Sequence, residues 1–415
     1  MRKYHIFFLF ALFFSCSGYA QWMQLPQDTN NMNCSVFFIN PDTGFVAGDY
    51  NYQNTYIQRT TDGGQTWDST LIGNGLLAMT ICFPNDTTGY CGGQGGVVYK
   101  TINMGQTWSY MGSIPGQTHF GAMCFINRDT GFISDFFGRI FRTTDGAISW
   151  TMVSAIQNSF ENFYPGTGKF QFVNDSMGFL ANGNYGIVMK TIDCGTTWTS
   201  IDLPSANTWA MAIYMFNKDT GMVVAEAGKI WKTINGGNSW TGPQIISPYD
   251  LMDVTFFNDS IGYIVGGENS NYIYHPPSFP PVGARIFVTS NRGVTWSVDT
   301  SLCCDWFTSI CNAGNNVGYA AGWHGWLFKI DDALSLASVN ENVSNAGMKI
   351  YPNPVSTTLY FSPCIHVELC DVTGRIILSG ENKSEFDVSN VAEGMYVLYV
   401  ETKEGRYSEK VLVKH

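Results

Sequence analysis

Residues 60–67 read TTDGGQTW, and relatives of this stretch return as TINMGQTW (101–108), TTDGAISW (143–150), TIDCGTTW (191–198), TINGGNSW (233–240) and TSNRGVTW (289–296). The Trp residues lie 41, 42, 48, 42 and 56 positions apart, a period that fits one four-stranded propeller blade. A second motif keeps the same beat, a polar turn and Gly usually followed by an aromatic, as in NPDTGF (40–45) and NRDTGF (127–132). Its glycines are Gly44, Gly89, Gly131, Gly178, Gly221, Gly262 and Gly318, seven against six Trp motifs. The seventh repeat ends in FKIDDALSL (328–336) without a Trp, whereas QWMQLP (21–26) places Trp22 as the other copies place theirs. The count predicts an all-β, seven-bladed propeller in which the N-terminal strand completes the last blade, leaving no blade short of an edge partner.

In each copy the Asp or Asn accepts hydrogen bonds from its own turn, and the Gly takes a positive φ. Asp62, Asn103, Asp145, Asp193, Asn235 and Asn291 are therefore expected to be structural residues of a C-to-D turn, and the Trp residues core anchors between blades. Carboxylates forty residues apart on different blades cannot share one ion, so no metal site is expected there, nor any cofactor. The basic residues that precede the Thr (Arg59, Lys100, Arg142, Lys190, Lys232, Lys329) repeat too regularly to form a site; they are expected to face solvent or brace the turn.

The net charge of -11 and pI near 4.9 argue against nucleic acid or an anionic membrane as partner. Arg2 and Lys3, the apolar run 6–14 and the small residues up to Ala20 predict a signal peptide over residues 1–20; acylation at Cys16 fits less well, because Phe13 is a poor residue at that distance. No later stretch is apolar for long enough to span a membrane as a helix. The cysteine spacings match no disulfide scaffold or zinc ribbon. Only Cys303, Cys304 and Cys311 are grouped closely enough for a local bridge, and the others read as small buried residues.

The pattern Thr-x-Asp/Asn-x-Gly-x-x-Trp resembles the Asp-box (BNR) repeats of sialidases, sortilin-type receptors, xyloglucanases and the photosystem II assembly and stability factor family. With its TGF element it is most similar to the last of these, over residues 22–332. The resemblance implies a propeller whose boxes lie on the face away from the ligand site. Ala147 departs from the pattern by replacing the box Gly, and the seventh box has lost Thr, Gly and Trp.

The opposite face is formed by D-to-A and B-to-C connections, where asymmetry signals function. Counting back twelve residues from each motif Gly places Met32, Leu77, His119, Gly166, Trp209, Asp250 and Trp306 at the mouths of the inner strands. Blade 4 is entered through SFENFYPGTG (159–168) with Phe163 and Tyr164, and blade 6 carries the expanded loop ENSNYIYHPPSFPPVGA (268–284) with Tyr272 and Tyr274. Blade 7 adds GWHGW (322–326) with Trp323, His324 and Trp326. Aromatic rings around a concave mouth suit sugar rings or a docked peptide, and equally suit sealing the ring. A glycosidase needs two carboxylates about 5–9.5 Å apart. Asp135, Glu161, Glu226, Asp250, Asp253, Glu268 and Asp305 can face this side, yet spacing singles out no pair, and no catalytic residue is assigned.

A polar linker (333–348) leads to short alternating strands with Gly-bearing turns over 349–415, the pattern of a small β-sandwich. Tyr351-Pro-Asn-Pro354, Asp371-Val-Thr-Gly-Arg375, Glu393-Gly-Met-Tyr396 and Lys410-Val-Leu-Val-Lys414 resemble the C-terminal sorting domain of the type IX secretion system. That resemblance implies a Bacteroidetes-type bacterium, handling by the type IX machinery and a secreted or surface-attached product, which argues against a photosystem role. The expected function is a non-catalytic binding, adhesion or scaffold propeller for an extracellular glycan or protein. The alternative is a secreted sialidase- or xyloglucanase-like glycoside hydrolase.

Overall fold

The computed structural model describes residues 22–26, 31–50, 54–74, 77–114, 116, 119–135, 137–155, 168–181, 186–204, 208–267, 284–302, 306–323, 325–334, 350–362, 366–371, 376–402 and 405–415. The first compact unit, Met1–Ala337, contains seven four-stranded antiparallel sheets. Six run in simple chain order from inner strand A to outer strand D: blade 1 (31–74), blade 2 (78–113), blade 3 (120–155), blade 4 (169–202), blade 5 (210–245) and blade 6 (250–302). Blade 7 joins Phe307–Asn312, Gly318–Gly322 and Leu327–Ile330 to the N-terminal strand Met23–Gln24, with Met23 opposite Lys329 and Gln24 opposite Phe328. The expected closure is the observed one. Each D strand starts one residue after its Trp.

The repeated glycines have a packing reason. On five blades the residue paired with the motif Gly across the A–B hairpin is Phe, and its ring lies over the Gly: a Cβ on Gly44, Gly89, Gly131, Gly178 or Gly262 would stand within 2.6 Å of Phe38, Phe83, Phe125, Phe172 or Phe256. Three of these rings also stack closely on the B-strand aromatic of the preceding blade: Phe38 on Tyr319 at 3.5 Å, Phe83 on Phe45 at 4.2 Å and Phe125 on Tyr90 at 3.5 Å. The Trp then meets its own blade's Phe edge-on, as with Trp67 on Phe38 (6.3 Å), Trp108 on Phe83 (5.9 Å) and Trp150 on Phe125 (6.1 Å). Aromatic pairs in these geometries stabilise by about 0.5–1.5 kcal/mol beyond area burial. The inter-blade anchor is thus the Phe–aromatic pair, with the half-buried Trp closing over it.

The propeller continues through Ala333, which is fully buried among Trp22, Tyr263 and Ile330, and whose carbonyl accepts from the Tyr263 hydroxyl at 3.0 Å. The second unit, Ser338–His415, holds a three-stranded sheet (Ile350–Tyr351, Thr358–Phe361, Glu385–Asp387) and a four-stranded sheet in the order Ile376–Glu381, His366–Asp371, Gly394–Thr402, Gly405–Val413. Leu359, Val367, Leu369, Leu398 and Val400 are buried in its core. Among the described residues no helix is long and apolar enough to cross a membrane.

Candidate functional site

Antiparallel order places the A-to-B and C-to-D turns of every blade at one end of the ring, and the B-to-C and D-to-A connections at the other. At the first end each box docks on its own A-to-B turn, for example Gly63 N donating to Asp42 O at 2.9 Å and Gly146 N to Asp129 O at 2.9 Å. Thr60 Oγ1 accepts from Gly64 N (2.9 Å) and donates to Asp62 Oδ1 (2.8 Å), which also accepts from Gln65 N (3.0 Å) and Thr66 N (2.9 Å). The Thr66 hydroxyl donates to Asp62 Oδ2. That hydroxyl first, then the backbone N–H of Thr66, pulls the Asp62 carboxyl down to about 2. Asp145 and Asp193 are likewise lowered to about 2, by Ser149 and Thr197. In the Asn boxes the last bond reverses, Asn103 Nδ2 donating to Thr107 Oγ1 at 2.9 Å. In all six boxes the residue before the Gly position also has positive φ, so Met104, Cys194 and Arg292 sit left-handed at 56, 59 and 58°; Ala147, in the Gly position itself, sits at 72°.

The basic residues reach forward into the next blade's box. Arg59 Nε donates to Met104 O (2.8 Å), Lys100 Nζ to Gly146 O (3.1 Å), Lys190 Nζ to Asn238 Oδ1 (2.8 Å), and Lys232 Nζ to Gly293 O. Of the two roles open to them, bracing is what these four do. They brace a neighbour's turn.

At the other end the symmetry fails. Trp306 precedes the inner strand of blade 7, and the Gly322–Trp326 turn folds back so that Trp323 N donates to Trp306 O at 3.3 Å. The two indoles meet edge to face, centroids 4.8 Å apart, forming a half-buried corner. Trp323 packs on Met32, Cys34, Leu77 and Met79 of blades 1 and 2. Both Nε1 donors are buried without a hydrogen-bond partner among the described residues. Trp326 instead turns into the core and stacks on Phe328 at 5.9 Å. Below this corner the inner strands enclose a cavity of about 280 Å³ whose lining includes Cys34, Met79, Met211 and Met252. Lys169 and Asp253 also line it and pair at 2.7 Å. Asp253 Oδ2 further accepts from Ile310 N at 3.0 Å, so one carboxylate joins blades 4, 6 and 7. Lys169 escaped notice in the sequence; its signal is a basic residue where the inner strands of the other blades carry Ser, Thr or Ala and, in blade 6, Asp253.

The other candidates are scattered or engaged. His119 Nε2 accepts from the Gln94 amide at 2.9 Å, which puts the imidazole proton on Nδ1. Asp250 is buried and accepts from Ala227 N at 2.8 Å, fixing the blade 5 turn at Glu226–Gly228. Trp209 is half-buried, its carbonyl accepting from Glu226 N at 3.1 Å. Asp135 is fully buried; burial pushes its carboxyl up against the opposing pull of Arg139, whose guanidinium lies at 2.7 Å. Phe163, Tyr164, Gly166, Tyr272, Tyr274 and His324 lie outside the described residues, as do Glu161, Glu268, Asp305, Cys303 and Cys304. Cys311 is a free thiol, pushed up to about 12 by burial.

Comparison with known proteins follows these two units. The family described as photosynthesis system II assembly factor YCF48 matches residues 15–155 and 112–246, together more than half of the chain. The family described as secretion system C-terminal sorting domain matches residues 349–414. Among solved structures the chain is similar to YCF48 bound to D1 peptide, at 16% identity and TM-score 0.57 over 75% of this chain and 96% of that one. It is similar to YCF48 from Cyanidioschyzon merolae, at 17% identity and TM-score 0.57 over 75% and 99%. The glycoside hydrolase family 74 xyloglucanase from Xanthomonas campestris matches at 10% identity and TM-score 0.54 over 94% and 68%. Identities this low show the fold alone. No curated protein matches the chain.

Proposed function

We propose, for a chain that belongs to the photosynthesis system II assembly factor YCF48 family and ends in a secretion system C-terminal sorting domain, that its propeller is a non-catalytic binding module working outside the cell. The sorting domain marks the protein for type IX export to the cell surface or the extracellular space. The observation that carries the binding role is the Trp306–Trp323 corner at the mouth of the ring. It is a symmetry-breaking aromatic surface over a cavity, on the end where the connecting loops differ most between blades. Aromatic corners of this kind hold the apolar face of a sugar ring or an extended peptide side chain. A solved member of the same family is described as bound to a peptide, which makes a peptide the first ligand class to try and glycans the second.

The described carboxylates do not support the hydrolase reading. Asp135, Asp250 and Asp253 each accept structural hydrogen bonds, and Glu226 Oε2 is met by the Thr208 hydroxyl at 3.4 Å. The test is a peptide array and a glycan array probed with the whole secreted chain, beside its Trp306→Ala and Trp323→Ala variants, with hydrolysis assayed on every glycan retained. Saturable binding that falls at least tenfold in both variants, without turnover, supports the module. Binding equal to wild type in both variants, or turnover abolished by one acid-to-amide change, overturns it.

A further inference from the structure

On the outer strands one residue, three positions after Trp22, Trp108, Trp150 and Trp198 and five after Trp67, points toward the next blade. In the equivalent place Leu25, Ile72, Met111, Val153 and Ile201 pack into the same apolar clusters as the following blade's Trp67, Trp108, Trp150, Trp198 and Trp240. Blade 5 has Pro243 three positions after its Trp, and blade 6 carries an acid there. The acid is Asp299, which no partner opposes in the ladder, because Ile286 pairs with Thr300 and Phe287 with Val298. This β-bulge aims a carboxyl at Trp22, the Trp of the strand that closes the ring.

The site around it gives little to a charge. Trp22 is buried against Tyr263, centroids 5.6 Å apart, and Asp299 Oδ2 is buried without a partner among the described residues. The Trp22 indole N–H faces the carboxyl but stops short of hydrogen-bonding geometry. The other titratable group here is the Tyr263 phenol, which feels Asp299 and Asp332 and is itself bonded to Ala333 O. Neighbouring cations are committed elsewhere: Arg285 lies over the Tyr249 ring, and Lys329 pairs with Asp331 at 3.0 Å. Closure itself is slight, two residues of strand and one further bond, Leu25 N to Leu327 O at 2.8 Å.

We propose that Asp299 makes the closing seam a protonation-controlled latch: the neutral acid packs against Trp22 as the aliphatic residues do elsewhere, and its ionisation loosens the N-terminal strand. Burial, opposed only by the indole, lifts the carboxyl from 3.8 to about 6. A raised acid favours the fold in its protonated form, so the seam is tightest below about pH 4 and weakens as pH rises through 6. Between those ends the closing equilibrium changes by roughly a hundredfold.

The test compares the full chain with Asp299→Val, the residue blade 3 carries, and Asp299→Asn. Melting temperatures are taken from pH 4 to 8, and hydrogen exchange is followed at the Leu25 amide. Subtracting variant from wild type removes every other titration. Expected is a wild-type melting temperature that falls relative to both variants between pH 4 and 7. Leu25 protection, corrected for chemical exchange, should drop up to a hundredfold in the wild type and stay flat in the variants. Parallel pH curves overturn the latch, as does an Asp299→Val chain less stable than wild type at pH 8. Should valine prevent folding, the asparagine chain and the wild-type exchange profile decide alone.

Discussion

The box end and the mouth of this propeller are built from the same strands and obey opposite rules. At the box end, one Thr and one Asp or Asn recur on six blades and the box Gly on five, Ala147 standing in its place on blade 3, and their hydrogen bonds close within the turn or onto the adjoining one. At the mouth, Trp306 and Trp323 stand together on one blade with both indole N–H groups unpartnered among the described residues. Repetition of the same turn bonds is what a fold requires of each blade in turn, although the blade residues Trp22, Trp108, Trp198, Trp240 and Trp296 also bury an indole N–H without a partner among the described residues. What sets the mouth apart is the meeting of two indoles, Trp306 and Trp323, contributed by one blade.

That contrast breaks most easily at the box glycines. Gly105 has φ 71°, and a Cβ there would stand 2.3 Å from the Phe45 ring of blade 1. Gly105→Ala should therefore destabilise by about 2–4 kcal/mol, read from denaturant unfolding, since both the ring and the backbone have to yield. A loss below about 1 kcal/mol would mean that the blade 1–2 interface is softer than its geometry indicates. Next in size is Thr101→Val, which keeps shape but strips the acceptor from Gly105 N (3.0 Å) and Asn103 N (3.3 Å). Orphaning those amides should cost about 1–3 kcal/mol.

A matched pair sharpens the comparison further. Trp67 Nε1 donates to Gly64 O at 3.0 Å, whereas Trp306 Nε1, like Trp108, Trp198, Trp240 and Trp296 Nε1 in other boxes, has no partner among the described residues. Trp67→Phe should lose about 1–2 kcal/mol, and Trp306→Phe, which removes an orphaned donor with little loss of ring, less than about 1 kcal/mol. Equal losses in the two thermal melts would show that the Trp67–Gly64 bond adds nothing measurable to the ring itself.

How much of this was legible beforehand follows from the same contrast. Blade number, closure through Trp22 and the turn role of Asp62 and its counterparts were readable because each is stated six or seven times. The reason for the glycines was not, although Phe38, Phe83, Phe125, Phe172 and Phe256 recur six residues before them, because cross-strand pairing shows only once the hairpin register is known. At the mouth nothing repeats. Trp306 and Trp323 were named as candidates alongside Trp326 and Asp250, yet sequence could not say that the first two would meet while Trp326 turned into the core and Asp250 capped a turn. Asp299 was missed for a related reason: its neighbours in the pattern are defined by a bulge, not by a motif.

The smallest expected effect lies inside the box set. Asp62, Asp145 and Asp193 are held at about 2, so their fold contribution is complete above about pH 4 and is lost as pH falls through 2. Asn103, Asn235 and Asn291 make the corresponding turn without a titrating group, by donating to Thr107, Ser239 and Thr295. Replacing the three aspartates by asparagine should leave the melting temperature at pH 6 within a few degrees of wild type and flatten its decline between pH 4 and 2. The hydroxyls of Thr66, Ser149 and Thr197 would then accept where they now donate. If the triple variant instead loses stability in parallel with wild type down to pH 2, acid sensitivity belongs to other carboxylates and the two kinds of box are interchangeable at every pH. If it falls sharply at pH 6, the reversed hydrogen bond is specific to the blades that already carry asparagine, and the boxes are less alike than their backbones suggest.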